Sequence, residues 1–351
     1  MVSAYLNAIS TAVPEFDVHE KFVSYGPGLL PDAPSRLLFE RMARRVQIEH
    51  RYSFLKPHTD SEKLDSEDFY VRDKFPDTAM RMKHYERHAF SLARRALDQI
   101  DLGGATHLIV TTCTGFYAPG LDLQIVHHYG LSPSVERTII GFMGCYAALN
   151  ALKLARHIVR SEKKSRVVIL NLELCTLHLQ QGATLEEMLS FLIFADGCSA
   201  SIVSSEPTGL ELQRFNTTVI PDSGGQITWQ IGGTGFDMNL SGRVPATIAA
   251  NLPARLDAIL GGVKRKNVAH WAIHPGGRSV LDAVKQGAGL EECQLSASRD
   301  ILRRFGNMSS ATIMFVLEDI LKNPDSGGPG CAMAFGPGLT VESMGFHAQG
   351  V

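Results

Sequence analysis

The stretch "MGCYAALNALKLARHIVR", residues 143–160, places Cys145 directly ahead of a helical run, and it has an echo later in the chain. Residues 305–322 read "FGNMSSATIMFVLEDILK". In both, a Gly precedes a polar or reactive residue, and apolar positions then recur at three- and four-residue steps. What lies upstream also matches. "IVTTCTG" is a β-branched run ending at Gly115, 30 positions before Cys145, and "WAIHPGG" ends at Gly277, 30 positions before Asn307. Each helical run leads into another strand-like run, "RVVILNL" or "CAMAFGPG". Matched spacing with matched local pattern predicts an internal duplication. The halves are expected at residues 1–206, carrying the Cys, and 207–351, carrying the His and Asn. If they pack about a pseudo-twofold axis, the two helix starts meet, and Cys145 and Asn307 face one central site.

Composition narrows the class. The chain has 351 residues, 44% apolar and 20% charged, as in a soluble globular enzyme. A net charge of −2 argues against bulk affinity for nucleic acid. No apolar stretch is long enough to span a membrane, and the start lacks the basic region of a signal peptide. The six cysteines are irregularly spaced, which predicts reduced thiols in a cytoplasmic protein. No Cys-x-x-Cys pair or Cys/His cluster has zinc spacing, so no metal site is expected.

Along the chain, "HLIVTTC", "RTIIGF", "RVVILNL", "SASIVSS", "VAHWAIH", "CAMAFG" and "LTVESMGF" read as strands. "HAFSLARRALDQI", "AALNALKLARHIV", "TIAANLPARLDAIL", "RSVLDAVKQ" and "SSATIMFVLEDILK" read as helices. The alternation predicts an α/β protein with buried mixed or parallel sheets covered by helices.

Three residues carry candidate chemistry. Cys145 at a helix start meets unpaired N–H groups and the positive dipole end, which favour thiolate and predict a lowered pKa. The competing reading is a small buried apolar residue. His274 ends a buried strand just before a Pro-Gly-Gly turn, where α/β sites collect. An imidazole there can hold a thiolate and polarise a carbonyl, or it can be a core His satisfied by backbone. Asn307 can donate to an oxyanion, or act as a helix N-cap.

At these residues the chain resembles a known family. "GCYAA", "HPGG", "GNMSSA" and "FGPGLT" are similar to signatures of the type III polyketide synthases, the chalcone synthase family of the thiolase-like superfamily. The resemblance runs from "FERMARR" to "GPGLTVES". It implies a thiolase-like five-layered αβαβα fold, a homodimer, and catalysis by Cys145, His274 and Asn307. Cys145 would take the acyl group of an acyl-CoA. Malonyl-CoA would then extend it by decarboxylative Claisen condensation, with neither a metal nor an organic cofactor.

Further residues carry over by position. Phe194 in "LIFADG" and Phe236 in "TGFDMNL" resemble the gatekeepers between CoA tunnel and cavity. Arg41 and Arg45 match basic positions that grip CoA phosphates. With Arg44 they stand at i, i+3 and i+4, on one helical face. A third basic position falls on Leu38. Gly336, Pro337 and Gly338 resemble the family's cavity loop. Cys113, Thr114 and Ser309 match cavity positions, and Ala118 the residue that the family extends into the partner's site. Cys175 and His178 stand where plant members carry threonines. The resemblance to bacterial members points to a long fatty acyl starter and an alkylpyrone or alkylresorcinol product. His178 could orient a carbonyl or be a polar wall residue.

Three rivals remain. An initiating β-ketoacyl carrier-protein synthase III shares the fold and the Cys, His, Asn order. A papain-like hydrolase shares the order but not its CGxCW-type motif. A scaffold without catalysis would not need all three residues.

Overall fold

The computed structural model describes residues 2–181, 184–323 and 327–349. Nine strands form one mixed sheet. In spatial order they are His270–Ile273, Gly328–Gly336, Thr340–Ala348, Leu210–Val219, Tyr5–Ala12, Asp196–Ser204, Val167–Leu174, His107–Thr112 and Glu136–Gly141. The pairing sense repeats outward from the centre. Tyr5–Ala12 pairs antiparallel with Asp196–Ser204, which pairs antiparallel with Val167–Leu174, which pairs parallel with the rest of its half through His107–Thr112. On the other side Leu210–Val219, Thr340–Ala348 and Gly328–Gly336 are antiparallel in turn, and His270–Ile273 is parallel to the last. Within the sheet the halves join where Tyr5 pairs with Glu211 and Leu6 with Leu210.

Strand side chains alternate between faces, and the alternation sorts them into separate cores. Val168, Leu170, Leu172 and Leu174 pack with the helix Thr78–Leu97 on the outer face of the first half. Val167 and Ile169 turn inward. In the second half Cys331, Met333 and Phe335 face an outer layer containing the helix Arg278–Ala288. Ala332 and Ala334 turn inward. The inward residues of both halves meet around two helices, Ala147–Ser161 and Thr312–Lys322. The layers are therefore helix, sheet, helix pair, sheet, helix.

The Thr312–Lys322 run reads as amphipathic, but every residue from Thr312 to Glu318 is buried. A helix held between the two halves of the sheet has no solvent face to reserve. The helix expected over "TIAANLPARLDAIL" is broken at its proline. Val244–Asn251 is followed by a short 3-10 turn, Pro253–Arg255, and then by Leu256–Leu260. Proline lacks the N–H that a continuous helix needs.

Candidate active site

Cys145 lies in a 3-10 turn, Gly144–Tyr146, that feeds the helix Ala147–Ser161. The turn is locked from outside. Gly144 has φ +70, and a Cβ on it would come within 2.5 Å of Pro337. A Cβ on Gly336 would lie 2.6 Å from the Tyr146 ring and 3.5 Å from the Cys145 nitrogen. The Gly336–Pro337 segment thus fixes the Cys145 backbone because neither contact leaves room for a side chain.

Asn307 is held by a different device. Its N–H donates to Ile193 O at 2.8 Å, and its carbonyl accepts from Ala195 N–H at 2.9 Å. This bridge sets Asn307 beside Phe194. Its Oδ1 accepts from the Ser309 N–H at 2.9 Å, a bond within the turn; the N-cap positions of the two helical segments that follow fall on Met308 and Ala311, so Asn307 is not the helix N-cap. That contact turns Nδ2 the other way, 3.3 Å from Gly276 O and 4.0 Å from Cys145 Sγ. The amide can brace the turn with its oxygen and donate to a ligand with its nitrogen.

His274 follows the strand His270–Ile273 and is 1% exposed, yet neither ring nitrogen has a partner among the described residues. Burial pushes its pKa down to about 3. Cys145 moves the opposite way, to about 11, because burial outweighs the hydrogen bonds from Ser309 and Asn307. This corrects the expectation of a lowered thiol pKa: desolvation exceeds what the helix start supplies. Each group is neutral when considered alone.

Cys145, His274 and Asn307 line one cavity. Cys113, Thr114, Cys175, Phe194, Ser309, Gly336 and Pro337 share its wall. The rest is largely apolar, with Phe191, Ile227, Trp229, Met238, Leu240 and Val244. A second cavity shares Cys175, Phe191 and Phe194 with the first.

Several expected residues lie elsewhere. Phe236 does not reach the cavity. It shares a face of the strand Gly235–Leu240 with Met238 and Leu240, which do, but it stacks on His178 at 4.2 Å. His178 is likewise off the wall. Its Nε2–H donates to Thr114 O at 2.7 Å, and its Nδ1 accepts from the Phe236 N–H at 3.1 Å. It is a core histidine whose two nitrogens are both satisfied. Ala118 is exposed, and neither it nor Gly338 lines the cavity. The helix expected to present Arg41, Arg44 and Arg45 on one face ends at Ala43. Of the three, only Arg45 lines a surface groove that shares Gly276 and Val280 with the cavity, and Arg278 joins it there.

Two residues escaped the sequence reading. Glu173 sits in the strand Val167–Leu174 and is fully buried below the wall. It accepts from the Cys113 N–H, the Thr114 hydroxyl and the Ser310 hydroxyl at 2.9, 2.9 and 2.6 Å. Burial nevertheless raises its carboxyl to about 7. The signal was available: a Glu inside the apolar run "VVILNLEL" has to be paired. Arg51 is also buried, and donates to the carbonyls of Phe191 and Phe194 at 2.8 and 2.7 Å. It anchors the segment that holds Asn307. No local pattern marked it.

Comparison with known proteins follows the same outline. Residues 4–207 match the profile of the N-terminal domain of chalcone and stilbene synthases, and residues 211–349 match that of their C-terminal domain. The chain is 32% identical over 284 residues to the alpha-pyrone synthesis polyketide synthase-like Pks18 of Mycobacterium tuberculosis, covering 76% of this chain and 72% of that protein. It is 30% identical over 344 residues to the bisdemethoxycurcumin synthase of Oryza sativa subsp. japonica, covering 91% and 84%. The C-terminal type III polyketide synthase domain of Steely1 from Dictyostelium superposes with a TM-score of 0.89 over 99% of each chain, at 24% identity. At that identity the likeness shows the fold.

Proposed function

The chain belongs to the chalcone and stilbene synthase family, the type III polyketide synthases, which are acyltransferases, and from that premise we propose that Cys145, His274 and Asn307 are its catalytic residues. The observation that carries this reading is His274. A fully buried imidazole with neither nitrogen bonded stands on the same wall as Cys145 and the Asn307 amide. Unpaired buried polar groups are costly, and they persist where a ligand completes them.

Cys145 and His274 are both neutral when isolated, so the thiolate forms by passing the thiol proton to the imidazole as substrate arrives. Sulfur then attacks the acyl-CoA thioester carbon. The C–S bond to CoA breaks, and the CoA thiol leaves with the proton. With malonyl-CoA in the site, neutral His274 and the Asn307 Nδ2–H donate to its thioester oxygen. CO2 departs, the enolate-like charge is held by these donors, and the carbanion attacks the acyl-Cys carbonyl. Cys145 sulfur leaves, and the longer chain can return to it. Decarboxylation supplies the carbanion, so the reaction requires no metal or organic cofactor.

Phe194 is proposed as a gatekeeper, with Met238 in the place expected for Phe236. Arg45 and Arg278 at the groove are proposed to hold the CoA phosphates, where guanidinium forks suit the geometry. For the starter we propose a long fatty acyl group, and for the product an alkylpyrone or alkylresorcinol. The apolar wall supports this, as does the second cavity behind Cys175, Phe191 and Phe194. The edge strand Glu136–Gly141, with Ile139 46% exposed, is proposed as part of a homodimer interface together with Ala118. Residues 1–206 and 207–351 are proposed as the duplicated halves, and the cytoplasm as the location. No helix among the described residues is long and apolar enough to cross a membrane.

Mass spectrometry of products from short, aromatic and long acyl-CoAs with malonyl-CoA tests the substrate. Long acyl-CoAs should be extended most efficiently. Extension of short or aromatic starters alone would overturn the long-chain reading. Strict dependence on a malonyl carrier protein would restore the β-ketoacyl synthase alternative, which the matching profiles do not favour.

A further inference from the structure

We propose that Glu67, His84 and His88 form a divalent metal site of the zinc-binding class, which clips the loop carrying Glu67 onto the helix Thr78–Leu97. The three residues offer ligand atoms that all lie within 4.8 Å of one another. His84 and His88 stand four positions apart on a 20-residue helix, hence on one face. Tetrahedral zinc, with bonds of about 2.0–2.1 Å, holds its ligand atoms roughly 3.3 Å apart. Side-chain adjustments on the order of 1 Å would complete the set.

The ring nitrogens give an independent sign. Nδ1 of His84 and Nε2 of His88 are both shielded from solvent and have no hydrogen-bond partner among the described residues. Leaving one such atom unpaired costs about 1–3 kcal/mol. Two imidazoles with such unpaired nitrogens, clustered with a carboxylate that forms no salt bridge among the described residues, suit a cation. The rings sit in an apolar shell, His88 at 4.6 Å from Phe54 and His84 at 4.4 Å from Phe69. The carboxylate side is pre-set as well. Asp65 accepts from the N–H groups of Glu67, Phe69 and Tyr70 at 3.0, 2.9 and 2.9 Å, which fixes the loop. Two imidazoles, one carboxylate and an open fourth position suit Zn²⁺ better than Mg²⁺ or Ca²⁺.

The clip is separate from Cys145 and takes no part in condensation. Its consequence is architectural. Leu64, Asp65 and Tyr70 on the same loop line the second cavity, so the metal would hold that cavity's far wall in place. The expectation of no metal site rested on Cys-x-x-Cys pairs and Cys/His clusters, which do not cover a His pair on a helix joined by a Glu 17 positions before the first.

Equilibrium dialysis of the chelator-stripped full chain against ZnCl2, with bound metal read by mass spectrometry, tests the proposal. A Cys293→Ser background removes the exposed thiol as a competing ligand. One zinc per chain is expected, with affinity weakened about 10- to 100-fold or more in Glu67→Gln and His88→Ala. Zinc should also raise the thermal midpoint of the parent and not of Glu67→Gln. Glu67 is exposed, so that variant will fold and decides the matter even if His88→Ala does not. No bound zinc in the parent, or equal zinc in parent and Glu67→Gln, overturns the site.

Discussion

His178 and His274 make an instructive pair. Both are buried, at 0% and 1% exposure, and burial drives both pKa values to about 3. Titration alone cannot tell them apart. Their partners can. His178 donates to Thr114 O, accepts from the Phe236 N–H and stacks on the Phe236 ring. His274 bonds through neither nitrogen and opens onto the cavity. A satisfied buried histidine is structure, and an unsatisfied one on a cavity wall is held ready for a ligand.

The comparison breaks if the two residues respond alike to truncation. His274→Ala should slow malonyl-CoA decarboxylation about 10²–10³-fold while leaving the thermal midpoint unchanged or higher, as measured by CO2 release and calorimetry. His178→Ala should do the reverse. It strands the Phe236 N–H and opens a void, so urea unfolding should show a loss of about 2–4 kcal/mol. Decarboxylation by the folded fraction should stay within about tenfold of the parent, because the residue is off the wall.

A smaller effect sharpens the account of the Cys145 turn. In Gly336→Ala the new Cβ would press on the Tyr146 ring. Overpacking of this kind costs about 1–3 kcal/mol, and the rate of Cys145 acylation should fall because the turn must shift. The smallest effect lies next to His178, since Thr114 joins it to Glu173. The Glu173 carboxyl is raised from 4.5 to about 7, so the folded chain holds that proton more tightly than the unfolded chain. Its contribution to stability is full below pH 4.5 and is lost as pH rises through about 7. Glu173→Gln cannot ionise. Relative to the parent, its stability should therefore improve between those pH values and change no further above them, which unfolding curves at several pH values would show.

Much of the fold was legible because strand and helix periods differ. The alternating runs at 107–112 and 167–174, and the helical runs after Cys145 and Asn307, carried their own signals. Leu210–Val219 did not, since polar residues crowd it and half its side chains face away from the core. Within the site, residues fixed by one turn were readable: Cys145 and Asn307 each come directly after a Gly, and His274 directly before Pro-Gly-Gly. Phe236 was not, because its strand also offers Met238 and Leu240 on the same face, and only packing shows which of the three meets the cavity. His178 misled for a related reason. A histidine's role depends on what its nitrogens reach, and Thr114 and Phe236 are 64 and 58 positions away. Arg45 reached the groove only because the helix ends at Ala43, and the sequence marks that stop with no glycine or proline.

The central claim is that Cys145 is the nucleophile of this cavity. Intact-mass analysis of the full chain after incubation with a long-chain acyl-CoA tests it most directly. One added acyl group on the parent and none on Cys145→Ala is the predicted result. No adduct on the parent, or an adduct that survives Cys145→Ala, would contradict it.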